Sequence, residues 1–210
     1  MAMLDPLKRV QQLRLAKPKR QRDENESDRL PPGQYRTLKF PVLTFGEIPH
    51  VDLRHWRLKV WGLVENPLEL NWQEFQALPR KQIHVDIHCV TRWSILDTDW
   101  EGVPFSVIAA MVRPRPEAIT VMQHAYGDYT TNMLLEELLD DEVILADTLG
   151  GKPLPREHGG PMRLVVPKLY FWKSAKWLNG LEFIDRNTRG FWEQYGYHQH
   201  GDPWIEERFG

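Results

Sequence analysis

The sequence predicts an α+β fold of mixed short strands and short helices, and three observations carry that expectation. Runs of β-branched and aromatic residues with alternating polarity are short, and Gly, Pro or Asn bounds most of them. The helical stretches are equally short and scattered. There is no regular strand–helix–strand alternation and no internal repeat, so a doubly wound sheet and a solenoid are both excluded. A chain of 24.8 kDa with 41% hydrophobic residues buries one substantial core. The expected organisation is a flexible charged arm over residues 1–35 and a single domain over 36–210.

The arm carries Lys17-Pro18-Lys19-Arg20-Gln21-Arg22, then Asp23-Glu24-Asn25-Glu26, then a Pro31-Pro32-Gly33 break. The acidic run cancels most of the basic one, so no nucleic-acid contact is expected. At Trp56 the pattern turns to β, with Trp56, Leu58 and Val60 alternating against Arg57, Lys59 and Trp61. Asn71 heads Trp72-Gln73-Glu74 as a capping-box start for a helix that stops before Pro79. Ile83 to Cys89 alternates as a strand, and Thr91, Arg92 and Trp93 begin a polar, cationic turn. Asp99 to Pro104 is expected to be a loop, with Pro104 in the first turn of a helix through Phe105, Ile108, Ala109 and Met111. Beyond it, Ile119 to Gln123 and Val143 to Ala146 read as strands and Met133 to Leu139 as a helix. Arg163 to Pro167 and Leu181 to Ile184 read as further strands, with turns at Gly150-Gly151 and Gly159-Gly160.

Composition narrows the function. A formal net charge of −2 supplies no global field for nucleic acid or anionic lipid. One cysteine excludes intrachain disulfides, a four-cysteine zinc site and a cysteine-ligated iron–sulfur cluster on this chain alone. No apolar stretch approaches the roughly 20 residues of a membrane span. The N-terminus lacks the apolar core of a signal peptide, so a cytoplasmic protein is expected.

Two segments carry chemistry. Ile83, Val85, Ile87 and Cys89 share one face of the pleat, which brings the sulfur out on the buried side where the cationic turn begins. A nearby cation favours the thiolate, the form that binds soft metals or attacks electrophiles, whereas the plainer alternative is a buried core cysteine. His84 and His88 are four apart, but on a strand they lie roughly 13 Å from one another and do not share an ion. The second segment, Arg163 to Lys176, holds four cations, three aromatics and no acid. It reads as an anion site built on Arg163, Ser174 and Lys176, or alternatively as a solvated strand with an exposed turn. GxGxxG, Walker A and GxSxG patterns are all absent.

Taken together, these segments resemble the molybdopterin-binding domain of the sulfite oxidase family, in the form found in small bacterial oxidoreductases and in the catalytic subunit of the periplasmic methionine sulfoxide reductase. The resemblance runs from about Leu43 to the C-terminus. It is carried by Val42 to Gly46, Trp56 to Val64, His88-Cys89-Val90-Thr91-Arg92-Trp93-Ser94, Asp99 to Pro104, His158 to Pro167 and Lys173 to Leu178. The order and spacing of these segments are more specific than any one of them.

The resemblance implies a sulfite-oxidase-type molybdopterin-binding fold and a cofactor of molybdenum and molybdopterin, with Cys89 as the protein's thiolate ligand to the metal. It maps the pterin and its phosphate onto His158, Arg163 and the segment Ser174, Ala175 and Lys176, with backbone contacts near Leu43, Thr44 and Ala125. The implied activity is a two-electron oxygen-atom transfer on a small sulfur- or nitrogen-centred substrate. Electrons would pass to a separate partner, because neither a haem domain nor the family's dimerisation domain is recognisable before Gly210. Arg92 lies one place short of the family's arginine and is assigned to orient substrate, while Asp97 or Asp99 is assigned to manage protons. A non-catalytic binding module with the same fold is the alternative. A thiol enzyme is a third, although His88 on the opposite strand face is badly placed as its base.

Overall fold

In the computed structural model, which describes residues 5–16 and 28–210, two mixed sheets share one hydrophobic core, and a second core covers the other face of the larger sheet. The chain begins with α1 (Pro6–Leu15), β1 (Tyr35–Arg36), β2 (Arg57–Gly62), β3 (Leu68–Asn71), α2 (Trp72–Gln76) and β4 (Lys81–His88). It continues through β5 (Trp93–Pro104), α3 (Phe105–Val112), β6 (Thr120–Ala125), β7 (Thr130–Leu134), α4 (Leu135–Leu138) and β8 (Ile144–Leu149). The last elements are β9 (Lys152–Pro153), β10 (Arg163–Val165), β11 (Leu178–Ile184) and α5 (Phe191–Gln194). The smaller sheet has the order β3-β2-β11-β6-β7; the larger runs β1-β5-β8-β10, with β4 on β5 and β9 on β8. Among the described residues, only β2–β11 and β1–β5 are parallel pairs.

Alternation along the strands explains how the larger sheet serves two cores. Leu145 and Leu164 point into the first core, beside Leu58, Val60, Leu181 and Phe183, while their neighbours Ile144, Ala146 and Val165 point into the second. The second core also takes Ile83, Val85 and Ile87 from β4, which is the odd-numbered face expected from sequence. Asn71 and Glu74 form the expected capping box, each side chain meeting the other's backbone N–H, at 3.0 and 2.8 Å.

Three expectations change. Asp99 to Pro104 is not a loop but the second half of β5, because Thr98, Trp100 and Gly102 are buried while Asp97 and Asp99 are exposed, a period-2 pattern hidden by the polar residues that carry it. Gly102 permits that pairing, since a Cβ there would lie 2.0 Å from the Leu145 carbonyl oxygen. Thr130–Leu134 pairs with β6, so Met133 is strand and only Leu135–Leu138 is helix. Lastly, residues 5–16 do not form a loose arm. Asp5 caps α1 through the Leu7 N–H, Pro6 opens it, and Val10 is buried in the second core. The basic and acidic runs of residues 17–26 lie outside the described residues. Among the described residues, no helix is long and apolar enough to cross a membrane.

Candidate functional site

A cleft opens on the second core, between the end of β4, the segment around Phe40 to Phe45, the turn before β10 and the stretch leading into β11. Cys89 forms part of its wall, immediately after β4. The Cys89 N–H donates to the Trp93 carbonyl and the Cys89 carbonyl accepts from Arg92 N–H, both at 2.9 Å, so the β4–β5 turn is closed on the thiol itself. Gln34 Nε2 at 3.1 Å also reaches the Cys89 carbonyl, and Arg208 Nη1 holds the Val90 carbonyl at 2.8 Å. Burial pushes the thiol's pKa up; the Thr91 hydroxyl, 3.2 Å from Sγ, and the charges of Arg9 and Arg208 act against it.

Across the cleft, Arg163 is 1% exposed yet touches no carboxylate among the described residues. Its guanidinium donates to the carbonyls of His158 (2.7 Å), Ser174 (2.8 Å) and Leu164 (3.2 Å), and lies 3.8 Å over the Phe171 ring. Burial pulls its pKa down to about 9. Lys176 Nζ likewise donates only to carbonyls, of Leu43 (2.9 Å) and Glu157 (2.8 Å), and burial followed by the repulsion of Arg163 lowers it to about 7. Gly159, at φ 111°, lets the turn before β10 press against Lys176, since a Cβ there would lie 3.0 Å from the lysine's own Cβ. His158 stacks on Phe40 at 4.2 Å, and its Nδ1 is buried without a partner. Burial, then Lys176 and Arg163, lower its pKa and keep it neutral. Buried positive charge without a counter-ion is costly, so this cleft is arranged for an anion.

Of the residues singled out from sequence, Leu43, Thr44, Cys89, His158, Arg163, Ser174 and Lys176 line this one cleft. Ala175 and Ala125 lie behind its wall: Ala175 N–H donates to Gln123 Oε1 at 3.0 Å, and Ala125 N–H to the Tyr129 carbonyl at 3.0 Å. Three assignments do not reach it. Arg92, at φ 76°, turns its guanidinium toward Glu206, 4.0 Å away, rather than into the cleft. Asp97, the residue at the bulge between β4 and β5, and Asp99 both bond His84 on the surface, and Asp97 also takes Arg29 at 2.6 Å. The opposite face of β4 leads there, and the polar alternation that conceals this half of β5 also conceals the direction of its carboxylates. His88 is held by Ser94 Oγ at 2.8 Å, and burial drives its pKa down to about 4, so it is no base for Cys89.

Sequence reasoning missed Arg9, Phe45, Tyr129, Trp192 and Tyr197, which complete the cleft. Arg9 had a signal, the Asp5-Pro6 helix start followed by apolar Val10 and Leu13. The aromatics had none, because nothing local separates a ring that faces a ligand from one that fills a core.

Residues 45–192 match the family described as oxidoreductase molybdopterin binding domain. The chain belongs to this molybdopterin oxidoreductase family. The uncharacterized oxidoreductase YuiH of Bacillus subtilis is 47% identical over 189 residues, covering 90% of this chain and 96% of that protein. The protein-methionine-sulfoxide reductase catalytic subunit MsrP of Xanthomonas axonopodis pv. citri is 27% identical over 177 residues, 74% of this chain and 55% of its own. The sulfane dehydrogenase SoxCD of Paracoccus pantotrophus shares the fold, with a TM-score of 0.63 at 22% identity over 82% of this chain and 55% of that one. The chain thus spans about half the length of these last two and nearly all of YuiH. It is an oxidoreductase with a molybdopterin-binding domain of mixed α+β architecture.

Proposed function

We propose that the cleft holds a molybdenum–molybdopterin group, with Cys89 as the metal's protein ligand and Arg163, Ser174 and Lys176 around the pterin phosphate. The residues fit such a group: one thiol, the buried Arg163 and half-buried Lys176, both lacking carboxylates, and His158, whose buried Nδ1 has no partner, line the same space. The single observation that carries the reading is the pairing of Arg163 and Lys176 without a counter-ion in the cleft that contains the chain's only thiol.

When bound, such a group supplies two-electron redox chemistry with transfer of an oxygen atom. The chain does the rest. Cys89 gives up its proton to serve as a soft ligand, and the charges of Arg9 and Arg208 help its thiolate against the cost of burial. The Thr91 hydroxyl is placed to donate to that sulfur. Phe40, Phe171, Trp172 and Trp177 give the cleft flat apolar walls that suit a planar ring and exclude water. The proposed reaction is oxygen-atom transfer on a small sulfur- or nitrogen-centred molecule, with electrons exchanged with a separate protein or carrier.

Protein from a cofactor-competent host is expected to carry about one molybdenum and one pterin per chain. Cys89→Ser should keep much of the pterin, change the metal's absorption and stop turnover, because a hydroxyl replaces a soft, charge-donating ligand. Metal analysis, pterin fluorescence and steady-state assay read all three, and undiminished activity in the variant removes the ligand assignment.

A further inference from the structure

One of the cations lining the cleft comes from a segment that the family match does not include. Residues 45–192 carry that match, whereas Arg9 lies on α1, well before it. The helix is seated at two places. Val10 is 3% exposed in the second core, and Arg14 reaches the carbonyls of Gly196 (3.2 Å) and Gly210 (3.5 Å) while lying 5.0 Å over the Phe209 ring. Between them and the capped start at Asp5, Arg9 is presented on a fixed helical turn.

Arg9 lines the cleft, with its guanidinium 5.4 Å over the Trp192 ring. Its side chain has no hydrogen bond or ion pair among the described residues. Lys8, its neighbour, is exposed and does not line the cleft. A guanidinium held on an aromatic face keeps its donors available, and a planar, bidentate donor suits a carboxylate or a sulfur or nitrogen oxyanion. Arg163 is buried and Lys176 is tied to the carbonyls of Leu43 and Glu157, and these two are the cations assigned to the phosphate. The position assigned from sequence to Arg92 is therefore filled in space by a residue more than eighty positions earlier.

We infer that Arg9 is the specificity-determining residue at the mouth of the cleft, and that α1 makes this oxidoreductase select a small anionic substrate. The inference rests on the reading of the cleft as the cofactor site. It makes Arg9 a contact for the substrate's charged end, separate from the cations assigned to the phosphate.

The test compares Arg9→Gln with Lys8→Gln, which removes the same charge one residue away. In the full-length, cofactor-loaded protein, inorganic sulfate is titrated by calorimetry, and molybdenum and pterin per chain are measured on the same samples. Arg9→Gln is expected to weaken sulfate binding about tenfold at unchanged load, the scale of one partly screened charge-assisted contact. Lys8→Gln should bind as the parent does. Absence of sulfate binding by the loaded parent, equal binding in both variants, or a lower pterin load in Arg9→Gln each overturns the assignment.

A second readout does not depend on the cofactor. In cofactor-free full-length protein, Cys89 is the only thiol, so its alkylation by iodoacetate and by neutral iodoacetamide reports access for an anion. Arg9→Gln should lower the ratio of the two rates several-fold, and Lys8→Gln should not. An unchanged ratio in Arg9→Gln contradicts the inference. A lowered ratio in Arg9→Gln, with a parent that never takes up molybdenum or pterin, keeps the anion-selective mouth and refutes the cofactor reading instead.

Discussion

Lys173 and Lys176 stand three residues apart on one segment, and their surroundings could hardly differ more. Lys173 is 1% exposed in a sealed polar cluster, where its Nζ meets Glu193 Oε1 at 2.9 Å, Asn132 Oδ1 at 3.0 Å and the Gln199 carbonyl at 2.6 Å. Glu193 also accepts from Trp172 Nε1 and Thr131 Oγ1, each at 2.9 Å. Burial still lowers the Lys173 pKa, with Glu193 opposing. Lys176 faces the cleft and has only carbonyls. The difference separates structure from function: where every charge has its counter-charge inside the protein, nothing is left for a ligand, and where the counter-charge is missing, a ligand supplies it. The two regions also meet, because Trp172 is fixed by Glu193 on one side and forms a wall of the cleft on the other.

Breaking the sealed cluster should produce the largest loss. Lys173→Met strands the Glu193 carboxylate in the interior, and the expected cost is about 3–5 kcal/mol of stability, read by denaturant unfolding. A loss under about 1 kcal/mol would erase the contrast between the two lysines.

A smaller effect follows from the Lys176 charge. With its pKa lowered to about 7, the lysine is protonated below neutrality and loses its charge as pH rises. An anion bound beside it restores the proton, so affinity for sulfate, which stays a dianion throughout, should fall between about pH 6 and pH 8 in cofactor-free protein. Lys176→Gln should flatten that profile, as calorimetry at several pH values will show. Persistence of the full pH dependence in the variant would assign it to another group.

The smallest effect is expected at the surface network that the sequence reading took for catalytic. Asp97 and Asp99 bond His84 in the open, and exposed pairs contribute about 0–1 kcal/mol. Asp97→Asn should leave turnover and cofactor load at parental levels. A collapse of turnover at full load would return a proton-handling role to this face.

How much was legible follows from the range of the interactions. The β4 face, the α2 capping box and the cation-rich segment are local patterns, and each is where periodicity and spacing indicated. Within that segment, however, nothing local tells Lys176 from Lys173, whose partner Glu193 lies twenty residues on, or from Lys168, which pairs with Asp140 at the surface. The same limit explains Arg92 and Arg9. Proximity in sequence placed Arg92 beside Cys89, but its left-handed backbone at φ 76° carries the side chain away, whereas Arg9 arrives by the docking of a helix. The 99–104 strand was hidden for another reason: it pairs with nearby β4 as well as with β8, but its apolar Trp100 and Val103 face different cores and polar residues stand between them.

The central claim is that the missing counter-charge in the cleft is the pterin phosphate. The most direct measurement is pterin fluorescence per folded chain in Lys176→Ala and Arg163→Ala, with thermal unfolding recorded on the same preparations. Each variant loses a charge-assisted contact of roughly 1.5–3 kcal/mol in a shielded site, so both should retain less pterin than the parent while Lys176→Ala melts normally. Full pterin load in both variants, with parental melting, would contradict the account and move the phosphate elsewhere.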